Sequence, residues 1–255
     1  MNKSSFGTHF TVTTWGESHG KALGAVVDGC PAGLSLCEED IQKFLDRRKP
    51  GQSRYTTARK VGDLVEILSG IFEGKTTGTP ISLIVRNTDQ RSRDYGKIKD
   101  CYRPGHADYT FDAKYGFRDY RGGGRSSARE TIGRVAAGAI ALKILESLGI
   151  TLHAYAKEIG GIAIDYEKFD LQAARENAFT MPDKEAAAKV EAYATQKIQE
   201  GDSIGGIIEC VVEGMMPGIG EPVFDKLDAS LGKAMLSIGA VKGFEIGSGF
   251  EAAKM

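Results

Sequence analysis

Ser127–Leu148, SARETIGRVAAGAIALKILESL, decides the fold. Ser127 and Glu130 stand at capping-box spacing, and Gly149 supplies a stop, so the segment reads as one helix. Its middle, VAAGAIAL (135–142), is small and apolar all round, so the helix is expected to be buried on every side. Apolar layers must then flank it, and strand-like runs supply them: HFTVTTW, ALGAVVD (22–28), LVEILSGIF (64–72), PISLIVR (80–86) and GIIECVVE (206–213). Residues 38–48 read as a helix, with Ser35 and Glu38 at capping spacing and Pro50-Gly51 ending it. A charged helix over 184–200 should lie on the surface, and 223–237 reads as an amphipathic helix followed by a strand near 240–246. From Asn87 to Gly124 the chain is irregular but rich in tyrosine and phenylalanine, which points to an ordered loop. Strands and helices in mixed order around a buried helix predict an α+β layered sandwich with mixed or antiparallel sheets, not a regular βαβ array.

Composition narrows the function. The 255 residues are 41% hydrophobic and 26% charged, with a net charge of −1, which excludes a disordered chain and gives no overall field to recruit nucleic acid or anionic membrane. No apolar run approaches the ~20 residues that span a bilayer, and MNKSSFGTHF lacks a signal-peptide core, so a soluble cytoplasmic protein is expected. Cys30, Cys37, Cys101 and Cys210 show no zinc-type or CxxC spacing and read as reduced thiols, and no metal site is expected. The arginines are uneven. Of 14, 13 lie between Arg47 and Arg134. Solubility would be served as well by lysine, whereas the planar guanidinium fork matches carboxylate and phosphate oxygens, so the expected partner is a small polyanion. No helix-turn-helix, zinc finger or basic stripe accompanies the cluster.

Three segments carry chemistry. In Arg121-Gly-Gly-Gly-Arg-Ser-Ser-Ala-Arg-Glu-Thr131 the glycines allow close backbone approach, and the following helix aims free N–H groups at the same point. Arg125, Arg129, Ser126 and Ser127 add charge and hydroxyl donors, giving a phosphate cradle. It is not a Walker A loop, because Asp119 and Arg125 occupy the positions of its first glycine and its lysine. The other two segments are Gly16-Glu-Ser-His-Gly20 and Arg103-Pro-Gly-His-Ala-Asp108, which place His19 and His106 in glycine-bounded turns suited to proton transfer. An acyl-hydrolase nucleophile elbow at Ser18 is disfavoured, since an extended apolar run rather than a helix follows it. His9 and His153 read as structural. VVDGCPAGL (26–34) and VVEGMMPGI (211–219) also echo each other, and a duplication would give two similar strand-turn-helix halves.

FGTHFTVTTWGESHG, LDRRKPGQSRYTT, NTDQRSRDY, RPGHADYT and YRGGGRSSARET, in this order, closely resemble chorismate synthases, and GDSIGG, GIGEPVFDKLDA and AVKGFEIGSGF extend the resemblance over nearly the whole chain. The resemblance implies a single domain of that family over 1–255, incomplete at its C-terminus, in a fold of sheets around buried helices that assembles as a homotetramer. It implies elimination of phosphate from 5-enolpyruvylshikimate 3-phosphate to give chorismate, with reduced FMN as cofactor and NADPH as a flavin reductant in some members. Carried over residue by residue, His19 protonates the departing phosphate and His106 protonates the reduced flavin or keeps its charge state. Ser18, Arg48, Arg54 and Arg129 hold the substrate's anionic groups, and Arg48 and Arg54 are also the NADPH positions. Arg125, Ser126, Ser127, Gly239 and Ala240 match the FMN-binding stretches, with Gly239 standing where Asn is common. A truncated fragment that binds flavin or substrate weakly without turnover is the alternative.

Overall fold

The computed structural model describes residues 4–49, 51, 55, 62–87 and 99–255. In chain order the first elements are β1 (Ser5–Phe6), β2 (Thr11–Gly16), β3 (Ala22–Asp28), α1 (Glu38–Arg48), β4 (Val65–Ile67), β5 (Ile71–Phe72), β6 (Lys75–Thr76) and β7 (Ile81–Arg86). Next come α2 (Asp108–Tyr115), α3 (Thr131–Ser147), β8 (Thr151–Ile159), β9 (Ile162–Ala163), α4 (Leu171–Glu176) and α5 (Lys184–Glu200). The last are β10 (Gly206–Glu213), β11 (Gly220–Glu221), β12 (Asp225–Lys226) and α6 (Leu227–Leu236). Two units share these elements: Met1–Gln42, Leu64–Gly138 and Met216–Met255 form one, and Lys43–Asp63 with Ala139–Met215 the other.

The first unit is built on a sheet of order β1-β2-β3-β7-β4, every neighbour antiparallel. Alternation puts Ile81, Leu83 and Val85 of β7 on its buried face. Register sets them opposite Val27, Ala25 and Leu23 of β3, which are equally buried. Each large aliphatic side chain so covered contributes roughly 1.5–3 kcal/mol. Gly133 lets α3 begin directly against this sheet. A Cβ on Gly133 would lie 2.8 Å from the Gly24 carbonyl oxygen and 3.0 Å from Thr14 Cγ2. One on Gly24 would run into the Trp15 ring.

The α3 helix starts at Thr131 rather than Ser127, because Gly124–Ser126 and Ala128–Glu130 are 3₁₀ turns. Ser127 Oγ accepts from the Arg129 N–H at 3.3 Å, but the Glu130 carboxylate is drawn to Thr14 and Arg134 instead of closing the box. Burial is also one-sided. Ile132, Ala136, Ala137, Ala139 and Ile140 are buried, while Val135, Gly138, Ala141 and Leu142 are half-buried.

In the second unit a sheet of order β10-β8-β9 carries a core of Tyr155, Ala156, Ile164, Met181, Ala186, Ala187 and Val190. The charged α5 is therefore not wholly a surface helix: Ala186, Ala187, Val190 and Ala194 form a buried strip. Asp183 caps it, its carboxylate accepting from the N–H groups of Glu185 and Ala186, and Gly201 ends it in the left-handed region.

Helices and antiparallel sheets together make the α+β class read from the sequence. Four local expectations are corrected. The stretch 87–124 contains α2, whose first residue is held by an ion pair rather than a side-chain cap. Residues 64–72 split at Gly70 (φ 82°) into β4 and β5, and β5 pairs with β6. A short β11–β12 hairpin delays α6 to Leu227. No strand forms near 240–246, where Ala240 is itself left-handed (φ 70°) and Gly243 follows. The echo is conformational as well as sequential: Gly29 and Gly214 both have φ 79°, and Gly33 and Gly218 follow at 86° and 92°. In each copy a Cβ on the first glycine would strike a backbone carbonyl, of His9 or of Gly149. All four cysteines are free thiols, Cys30 buried and the others exposed. Among the described residues no helix is long and apolar enough to cross a membrane, and no acidic, histidine or cysteine group could hold a metal ion.

Candidate active site

Gly16 ends β2 at φ 85° and turns the chain into Glu17-Ser18-His19-Gly20, closed by a bond from the Gly20 N–H to the Glu17 carbonyl at 3.0 Å. Asn87 clamps this turn from the end of β7. Its Nδ2 donates to the carbonyls of Glu17 (3.2 Å) and Gly20 (2.8 Å), and its N–H donates to that of Lys21 (3.0 Å). His19 is only 5% exposed, and the Ser18 hydroxyl is buried with no hydrogen-bond partner among the described residues. A buried hydroxyl left so is costly in a finished protein and is expected where a polar ligand completes the site.

Gly122 covers His19. It is buried at φ 75°, and a Cβ there would fall on the imidazole, 2.8 Å from Nε2, and 3.0 Å from Ser18 Oγ. On one side of Gly122, Arg121 grips Asp119 through Nε (2.8 Å) and Nη2 (2.7 Å). That pairing holds the Asp119 carboxyl below the usual carboxylate range, and the charge of His19 acts in the same direction. From the other side, Arg103 Nη2 donates to the Gly122 carbonyl at 3.0 Å. Arg103 opens the turn that carries His106, whose N–H donates to the Arg103 carbonyl at 3.2 Å. His106 itself is exposed, with Nδ1 3.1 Å from the Pro104 carbonyl oxygen.

The arginines of the glycine-rich segment have distinct tasks. Arg125 binds β2: Nη1 donates to the Gly16 carbonyl (3.0 Å), and Nη2 donates to the Thr14 carbonyl (3.1 Å) and hydroxyl (2.7 Å). Arg129 Nε donates to Asn87 Oδ1 at 2.8 Å, so the residue that clamps the His19 turn also orients this guanidinium. The Ser126 hydroxyl donates to the Gly123 carbonyl at 2.7 Å. Glu130 accepts from the Thr14 hydroxyl (2.6 Å) and from Arg134 Nε (2.9 Å), and Arg134 in turn donates to the hydroxyl and carbonyl of Ser237. The exposed turn with Gly239 and Ala240 is thereby tied to the start of α3.

The structure thus brings Ser18, His19, Arg125, Ser126, Ser127 and Arg129 into one linked constellation, with the His106 turn joined through Arg103 and the Gly239-Ala240 turn through Arg134. Arg48 lies in the other unit, at the end of α1, where it pairs with buried Asp63 at 3.0 Å. Arg54 falls outside the described residues. Sequence reasoning passes over Asn87, Gly122 and Arg134 as individuals and reads Glu130 only as a helix cap. Asn87 and Gly122 meet their partners far along the chain, so no local spacing marks them, although both stand in quoted motifs. Glu130 and Arg134 pair at i,i+4, and what spacing hides is their reach to Thr14 and Ser237.

The chain is similar to known proteins along nearly its whole length. The family model for chorismate synthase matches residues 10–255. A chorismate synthase of Lachnospira eligens is 71% identical over 255 residues, covering 100% of this chain and 70% of its own. One of Lachnoclostridium phytofermentans is 66% identical over 254 residues, covering 100% and 69%. A crystal structure of chorismate synthase superposes with a TM-score of 0.79 at 35% identity, covering 97% of this chain and 72% of that one. Similarity along the whole chain gives the alternative of a binding fragment without turnover no support.

Proposed function

The chain belongs to the chorismate synthase family, and from that premise we propose that it works as a carbon–oxygen lyase acting on a phosphate ester. The reaction is the anti 1,4-elimination of phosphate from 5-enolpyruvylshikimate 3-phosphate, giving chorismate for aromatic amino acid biosynthesis by the shikimate pathway. The observation that carries this reading is the buried His19 beneath Gly122, beside an unsatisfied Ser18 hydroxyl and among the arginines of one loop. A substrate with one phosphate and two carboxylates matches that donor set.

His19, shielded from water, donates a proton to the departing phosphate oxygen. Ser18 and Arg129 hold the substrate's anionic groups, with Arg48 and Arg54 as further anion and NADPH contacts. At His106 the Pro104 carbonyl can only accept, so Nδ1 carries the proton and Nε2 is left to exchange one.

The same site suits a phosphate-bearing flavin. Gly124 is buried at φ 52° with open space where a Cβ would stand, and the hydroxyls of Ser126 and Ser127 lie in the same segment. Arg125 keeps that loop fixed to β2, and the Gly239-Ala240 turn offers backbone contact only. When bound there, reduced FMN would supply transient electron density for the departure of phosphate, with NADPH as its reductant. The enzyme acts as a cytoplasmic homotetramer on a small molecule, without nucleic acid or membrane.

Phosphate release from 5-enolpyruvylshikimate 3-phosphate under anaerobic conditions, with reduced against oxidised FMN, tests the reading. Release with reduced flavin alone, matched by chorismate, is expected. Release that ignores the flavin state, or none with either form, would overturn it.

A further inference from the structure

The His106 turn and the Gly122 loop meet at one carboxylate. Asp108, the first residue of α2, is 8% exposed and accepts three bonds from Arg103. The Arg103 N–H (3.1 Å) and Nε (2.8 Å) donate to Oδ2, and Nη2 (2.9 Å) donates to Oδ1. The same Nη2 also donates to the Gly122 carbonyl at 3.0 Å. Arg118 stands behind, 4.0 Å from Asp108 Oδ1, paired with Asp112 and stacked on Tyr102, so Asp108 faces cations on both sides. Accordingly its carboxyl is held at about 2, first of all by the Arg103 hydrogen bonds, and the fork is ionised at any working pH.

Resting on the acid–base reading of His19 and His106, we propose that Arg103 and Asp108 are positioning residues that set both imidazoles from a single fork. Two branches leave Arg103. Its carbonyl receives the His106 N–H and closes that turn, and its guanidinium draws the Gly122 carbonyl so that the glycine backbone lies against the His19 ring. Gly122 has no side chain to yield, so any displacement of its carbonyl is passed to the imidazole. A lysine at 103 keeps the charge but loses the planar geometry that holds two carboxylate oxygens and a carbonyl together.

The test is an NMR titration of the full chain, comparing the wild type with Asp108→Asn and Arg103→Lys. The chain has four histidines, His9, His19, His106 and His153, which single His→Ala variants assign. Both substitutions are expected to shift the His19 and His106 ring signals and leave His9 and His153 in place. Unmoved His19 and His106 signals would overturn the proposal, and so would equal movement of all four, which marks general loosening. Because this readout needs neither substrate nor flavin, it stands even if no turnover is found.

Where turnover is measurable, Asp108→Asn is expected to lower kcat about 100-fold, the usual penalty for misplacing a reacting group by about an ångström, with little change in KM. In a His19→Ala background the same change should cost far less, because the histidine it orients is gone. Losses that multiply in full would show that Asp108 acts independently of His19 and would overturn that branch. Should Asp108→Asn fail to fold, Arg103→Lys decides by the same readings.

Discussion

Two polar clusters, one in each unit, are built to opposite ends. In the second unit Glu209 accepts from the hydroxyls of Tyr155 and Tyr166, both at 2.6 Å on Oε2, and from Lys157 Nζ at 3.0 Å on Oε1. Burial and then the Glu209 bond push the Tyr155 hydroxyl well above its ordinary range, so it stays a donor. Each polar side chain of that cluster has its partner within the cluster. Around His19 the long polar side chains are equally engaged, yet many of their partners are backbone carbonyls: Thr14 and Gly16 for Arg125, Gly122 for Arg103, Glu17 and Gly20 for Asn87. They hold loops in place, and the Ser18 hydroxyl inside those loops is left unsatisfied. A cluster that satisfies itself makes structure, while one that fixes backbone around an unmet polar atom makes a site.

The largest effect that could break this contrast is at His19. His19→Ala should lower turnover by roughly 10²–10⁴-fold while FMN still binds, read as phosphate release and flavin fluorescence. Unchanged turnover would leave the buried imidazole as packing, no different in kind from the Glu209 cluster. Next is Gly122→Ala. Its Cβ must displace the His19 ring, so a loss of about 100-fold in kcat is expected. The left-handed backbone adds a stability cost of about 1–2 kcal/mol, read by urea unfolding.

Glu209→Gln sharpens the comparison from the other side. The amide keeps its oxygen toward both tyrosines only by turning its NH₂ toward Lys157 Nζ, donor against donor, so stability should fall by about 1–3 kcal/mol with kcat unaltered. A loss of turnover without a loss of stability would make that cluster functional after all. The smallest effect is in pH dependence. The native Asp108 carboxyl is depressed to about 2 from 3.8, so its contribution is fully present above the higher value and is lost as pH falls toward the lower. The stability advantage of the wild type over Asp108→Asn should therefore shrink through that window, and a gap that stays constant would show that the ionised fork adds nothing.

Elements with strong periodicity were legible before the structure. The helix over 38–48, the helix over 184–200 and the strands over 22–28 and 206–213 appear where pattern and caps place them. The α2 helix was hidden because its start depends on the Arg103–Asp108 pair and its faces mix aromatics with charge, so no apolar stripe repeats. The supposed strand near 240–246 failed for the converse reason. Its apolar residues suggested extension, but a left-handed Ala240 and nearby glycines take the backbone elsewhere.

The site divides along the same line. Sequence alone determined which residue types gather: two histidines in glycine turns, a run of glycines before a helix, and arginines chosen over lysines. Those are local choices, written in neighbouring residues and in the backbone freedom of glycine. Only the tertiary structure decided which distant groups the arginines hold, because a guanidinium selects such partners by geometry across the fold. Arg125 meets Thr14 and Arg134 meets Ser237, more than a hundred residues away in each case. Gly122, one glycine among three in the sequence, becomes distinct only once folding presses it onto His19.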